Sequence, residues 1–253
     1  MMTLRQLFFA GITMGMVLLA APAQAESRGQ ADTLWAIGTA WSADQQEVLY
    51  QEIHFTNNAE LDLTTRVEYR RPDGELFAEK HIDYSDSLIA PAISQRDFRN
   101  DARVTTEHEQ VRAAQIIRLG FRPHDSNELR EDEFTLRDSL IFDAGFDPYV
   151  RLNWDDLVSG RRITTDFLVP ARMDTVRISV TQVDSSQCRS DTDNIYCFVI
   201  HPAGLLRVVG WLVDPIYIGY HRDTRRLMSF DGISNFRDDA GNTRNVLIKF
   251  EYF

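Results

Sequence analysis

Residues 61–84 read LDLTTRVEYRRPDGELFAEKHIDY, and the fold class turns on this stretch. Successive side chains of an extended chain point to opposite faces. Leu61, Leu63, Thr65, Val67 and Tyr69 therefore share one face, and Thr64, Arg66, Glu68 and Arg70 the other. Arg71, Pro72, Asp73 and Gly74 supply a turn, because Pro72 fixes φ and Gly74 accepts φ > 0. The return segment puts Leu76, Ala78, Ile82 and Tyr84 on one face, with Lys80 as the exception, and Phe77, Glu79, His81 and Asp83 on the other. This is the pattern of a half-buried antiparallel hairpin.

The same alternation continues on both sides. Glu47–Thr56 reads as a strand, and Val176, Ile178 and Val180 alternate with Arg177, Ser179 and Thr181. Ile195–His201 and Ile216–His221 are two more apolar strands. Arg226–Phe236 leads through a turn at 238–242 into Asn245–Phe253, the last hairpin. The apolar stretch from Leu205 to Tyr220 is broken by Arg207, Asp214 and Pro215, so it reads as two strands and a turn. One helix is signalled over 147–159: Asp147 as cap, Pro148 at the first helical position, Gly160 just past the end. Val150, Trp154 and Leu157 share its apolar face. Residues 102–119 read two ways: a capping box at Thr106 and Glu109, or a strand. Context favours the strand. Residues 123–133 read as a polar loop, and no repeat or linker divides residues 26–253, which are expected to form a single β-rich domain. The expected fold is mainly β, an antiparallel curved sheet or partly closed barrel with one covering helix.

The N-terminus carries a destination. Arg5 precedes an apolar run from Leu7 to Ala21, which ends in Ala23, Gln24 and Ala25. That order predicts a cleaved signal peptide over residues 1–25, with the mature chain starting at Glu26. The run of 15 residues is shorter than the roughly 20 a spanning helix needs. Removing it takes away one Arg and no acid, so net charge moves from −11 to −12. Such an acidic chain lacks the basic footprint of a nucleic-acid binder. The expected location is the periplasm. The closing strand ends in Phe253, as outer-membrane barrels often do, but Lys249 and Glu251 would face lipid, which is costly. The chain is therefore not expected to be an integral membrane protein. Cys188 and Cys197, with eight residues between them, predict a disulfide in an oxidising compartment.

Three motifs resemble a family of uncharacterised, exported proteobacterial β-rich proteins: Tyr69 to Leu76, Asp143 to Asp147 running into Trp154, and Phe230 to Asn235. The order of elements is also similar, at the level of fold, to periplasmic half-barrel carriers of lipids and lipoproteins. The first resemblance brings no activity with it.

The chemistry-bearing residues are sparse. The six histidines form no metal-ligand spacing, and no phosphate loop follows a strand, so neither metal nor cofactor is expected. Glu52 and His54 would share a strand face. Gly232, Ile233 and Ser234 begin like a nucleophile elbow, but the second glycine is missing. No catalytic residue is assigned. The aromatic content points instead to an apolar pocket between curved sheet and helix, with Trp154, Trp211, Tyr217 and Tyr220 as its expected lining. The leading function is non-enzymatic binding or carriage of an apolar or amphipathic ligand, such as a lipid, in the cell envelope. The alternatives are a module that binds an envelope protein and a hydrolase with a dispersed site at Ser234 or the Glu52/His54 pair.

Overall fold

The structure, a computed structural model, describes residues 32–57, 62–203 and 214–253. The signal peptide, its cleavage point before Glu26, Leu61, and residues 205–213 of the apolar stretch, Trp211 among them, lie outside the described residues.

Among the described residues one sheet of 15 strands accounts for nearly all the secondary structure. Its first half runs β1 (Thr33–Ser42), β2 (Val48–Thr56), β3 (Arg66–Arg70), β4 (Leu76–Asp83), β5 (Ala92–Asp97), β6 (Arg103–Val111), β7 (Ala114–Arg122) and β8 (Arg130–Thr135), each antiparallel to the one before. The second half runs β9 (Leu140–Ile141), β10 (Ile163–Val169), β11 (Asp174–Val183), β12 (Ile195–Pro202), β13 (Ile216–His221), β14 (Leu227–Ile233) and β15 (Asn245–Tyr252). Here too neighbours are antiparallel, except that β9 and β10 are parallel, as a helical crossover between them requires. The last strand pairs with the first, so β1 and β15 meet in the middle of the sheet and β8 and β9 form its edges. The sheet is not closed. It is nonetheless strongly curved: Val67 on β3 and Ile178 on β11 line one cavity although six strands lie between them.

The decisive hairpin forms as β3 and β4, with Gly74 at φ +91° and its N–H donating to the Arg71 carbonyl at 2.9 Å. One face assignment changes. Tyr69 pairs with Ala78 and Arg70 with Leu76, so Phe77 is the extra residue of a β-bulge. The bulge turns Phe77 inward, where its ring meets those of Tyr50, Tyr69 and Phe236 at 5.9, 6.3 and 5.4 Å. The outer face keeps the expected charges, with Glu68 bridging Arg66 and Arg70.

Residues 103–122 are the strands β6 and β7. The Thr106 hydroxyl accepts from the Ile93 N–H and donates to the Pro91 carbonyl instead of capping a helix. Part of the expected polar loop at 123–133 is the edge strand β8.

The expected helix is two pieces, α1 (Phe146–Leu152) and α2 (Trp154–Val158), preceded by a 3-10 turn at Asp143–Gly145. Asn153 makes the break, its side-chain amide donating to the Tyr149 carbonyl at 2.8 Å in competition with the helix ladder. Asp147 is not the cap: Gly145 holds that position and Asp147 lies in the first turn. Gly145 is required because a Cβ there would collide with the Ile89 backbone. No described helix is long and apolar enough to cross a membrane.

Behind the sheet, the segment after β11 crosses the outer face. Cys188 and Cys197 are disulfide-bonded and pack with Ile195, Tyr217 and Met228. Arg189 clamps this segment down through a two-pronged pair with Asp231 at 2.8 and 2.9 Å and a bond to the Ala43 carbonyl.

Candidate functional site

The concave side of the sheet holds a partly open cavity of about 320 Å³. Strand register dictates what faces it. Lys80, Val67, His54, Ala36 and Tyr252 form one row across β4, β3, β2, β1 and β15. Ala78, Tyr69, Glu52, Gly38 and Phe250 form the next. The Phe250 ring lies over Gly38, where a Cβ would come within 2.7 Å of it. The facing wall is Phe167, Val176, Ile178, Ile200, Ile216 and Ile218, from β10 to β13. One wall is thus polar and one apolar.

The polar wall is tied together by ion pairs. Lys80 is only 4% exposed, and its ammonium bonds Asp143 Oδ1 at 2.5 Å. Arg151 pairs with Asp147 and donates to the Asp62 carbonyl at 2.7 Å. Arg226 bonds Asp62 Oδ1 at 3.1 Å, with its guanidinium 4.4 Å from the Trp35 ring centre and 5.1 Å from that of Tyr252. His54 Nε2 lies 3.2 Å from Glu52 Oε2, and Nδ1 lies 3.3 Å from the Thr64 hydroxyl. Tyr50 and Ser234 also line the cavity, with their hydroxyls 3.2 Å apart.

Burial sets the protonation of this wall. It pushes the phenols of Tyr50, Tyr69, Tyr84, Tyr220 and Tyr252 above the ordinary tyrosine range, so all five remain neutral hydroxyls. Burial also raises the Asp147 carboxyl above its usual 3.8, against the opposing pull of the Arg151 guanidinium. The side chain keeps 32% of its surface accessible, and that surface faces the cavity. Among the described residues its Oδ1 has no partner within strict hydrogen-bond geometry, although the Tyr220 hydroxyl acts on the carboxyl.

Of the four expected lining residues, Tyr220 lines the cavity. Trp154 is buried one layer further along the same face, its ring 5.7, 6.0 and 6.1 Å from those of Tyr196, Phe198 and Tyr220. It packs against the site without reaching the void. Tyr217 lies on the opposite face, beside the disulfide. Trp211 lies outside the described residues. Glu52, His54 and Ser234 do reach one cavity, yet no hydrogen bond joins His54 to Ser234. Ser234 Oγ accepts from the Phe236 N–H at 3.1 Å, a turn role. Lys80, Asp143, Arg151 and Arg226 went unassigned as site residues in the sequence. The visible cue was Lys80, the one charge on an apolar strand face. Among the described residues no three His, Cys, Asp or Glu side chains group closely enough to hold a metal ion.

No family model and no curated protein matches this chain. Among solved structures it is weakly similar to a β-barrel-like protein of a domain of unknown function, DUF1849, from Brucella abortus. The identity is 8% and the TM-score 0.41, over 88% of this chain and 100% of that one.

Proposed function

We propose that this is an exported, non-enzymatic protein that binds an amphipathic small molecule inside its curved sheet. The observation that carries the reading is the cavity: about 320 Å³, within the range of small-ligand pockets, with an apolar wall opposite a polar one. A packed core leaves few voids larger than water, so a partly open space of this size suits a ligand. Export is supported by the N-terminal pattern and by the disulfide, a bond of oxidising compartments.

The hydrolase reading loses support from the geometry. His54 has both ring nitrogens engaged, and Ser234 is engaged by Tyr50 and the Phe236 amide. Assembly by strand addition is disfavoured at the β8 edge, which carries Arg130, Glu131, Asp132 and Glu133, charges that protect an edge from pairing.

The test is native mass spectrometry of protein purified from its own host, before and after stripping on a hydrophobic resin. The expected result is a discrete excess mass that stripping removes and that Ile216→Trp, which fills the void, prevents. A single bare mass, together with no uptake of an apolar fluorescent probe by the stripped protein, overturns the reading. N-terminal sequencing of the same sample should begin at Glu26; an intact Met1 in the membrane fraction overturns export by cleavage.

A further inference from the structure

Among the described residues, the Lys, Arg, Asp and Glu side chains lining the cavity do not cancel. Lys80 is matched by Asp143, Arg151 by Asp147 and Arg226 by Asp62. Among the described residues Glu52 is left over, and its one ionic neighbour there is His54 at 3.2 Å, a cation only when protonated. His54 contacts Glu52 through Nε2 and the Thr64 hydroxyl through Nδ1, so its two ring nitrogens are both engaged. Among the described residues Glu52 therefore has no Lys or Arg partner, and its side chain is only 13% exposed. An isolated ionised group in such a place is costly unless something pairs with it.

A second observation points to the same spot. Tyr69 lies directly across from Glu52 in the β2–β3 register and is 3% exposed. Its ring packs on Tyr50, Phe77 and Phe236. Tyr69 lines the cavity, and its hydroxyl makes no hydrogen bond among the described residues. The electron-rich rings of Tyr50 and Tyr69 flank the carboxylate, the surroundings in which a desolvated cation is stabilised. Lys80, whose ammonium is 6.0 Å from the Tyr69 ring centre, is already held by Asp143. A carboxylate or phosphate head would meet Glu52 with like charge.

Building on the amphiphile reading above, we infer that the ligand's polar end is a cationic nitrogen. It sits against Glu52, with its apolar part on the Ile178, Ile200, Ile216 and Ile218 wall.

Three probes of equal chain length separate the cases: decylamine, decanol and decanoate, each below its micellar concentration. They are titrated calorimetrically into the resin-stripped full-length mature protein. Decylamine should bind one-to-one and at least about tenfold more tightly than decanol, the gap expected of one desolvated ion contact. Decanoate should bind weakest. Glu52→Gln should abolish the amine preference and keep the decanol affinity. Equal affinities, or decanoate as the tightest, overturn the cationic ligand while the cavity reading stands. Failure of all three to bind overturns both. An amine preference that survives in folded Glu52→Gln removes Glu52 as the seat and overturns the inference. Should that variant not fold, the ranking on the unaltered protein decides the question alone.

Discussion

On β2–β4 the interior positions are Glu52, His54, Val67, Tyr69, Lys80 and Ile82, whereas on β11–β13 they are Val176, Ile178, Ile200, Ile216, Ile218 and Tyr220. Both walls obey period two, and both turn alternate side chains to the concave side. They differ in what offsets burial. The apolar wall is stabilised by area removed from water, with Trp154 packed at one end and the disulfide loop clamped on its back. The polar wall depends on each charge finding its partner, since one partner lost leaves the other stranded. Alternation alone therefore identifies which residues face inward, but not whether the inside is dry.

The largest effects should come from the packed end of the apolar wall. Trp154→Ala removes a ring surrounded by three others and should cost about 3–5 kcal/mol in urea unfolding. Ile216→Ala, on the rim of the void, should cost about 2 kcal/mol, the low end for such a change, because its contacts on one side are already absent. Saturating ligand should widen the second loss and leave the first alone. Equal losses in stripped protein would mean that the wall is packed throughout and that there is no site.

On the polar wall, Lys80→Ala strands Asp143 and should cost about 3 kcal/mol, toward the lower end for a broken buried pair because Asp143 retains some exposure. The double change Lys80→Met with Asp143→Asn should recover most of it. A single variant as stable as wild type would show that solvent reaches this pair, and that the two walls are less different than their composition implies.

The clamp behind the apolar wall should matter less. Replacing Cys188 and Cys197 by Ser should lower stability by somewhat under the ~3 kcal/mol expected for a fifteen-residue loop, because this loop is shorter. Folding and ligand binding should survive, since Arg189 and Asp231 still hold the segment down. Loss of binding in a folded double variant would tie the outer face to the cavity.

These expectations also mark what could be read without coordinates. The hairpins, the turn at Gly74 and the disulfide were legible because they depend on local chemistry. The face of Phe77 was not, because a bulge is one extra residue in a pairing that the strand itself does not announce. Tyr217 and Tyr220 could not both have lined a pocket, being three apart on a strand with a period of two, and the alternation rule already contained that answer. Lys80 was visible as an exception, but its partner Asp143 is 63 residues away, and the hydrophobic pattern carries no record of such a pairing. Asp147 fitted the pattern of a cap so well that its position in the first turn, facing a cavity, stayed hidden.

The smallest effect, and the one that bears most directly on the polar wall, is the pH dependence that Asp147 contributes. Burial raises its carboxyl above the ordinary 3.8, so over a window beginning there the native state binds more protons than the unfolded chain. The stability this group contributes is complete below 3.8 and is lost as pH rises through the raised native value. Asn at this position cannot ionise, so the stability of wild type minus that of Asp147→Asn should fall as pH is taken upward from 3.8 and then level off. Chemical unfolding of both proteins across that range measures the difference directly. A difference that rises with pH would mean that Arg151 holds the carboxyl down more strongly than burial pushes it up. The polar wall would then be stabilised by its charges as the apolar wall is by its isoleucines.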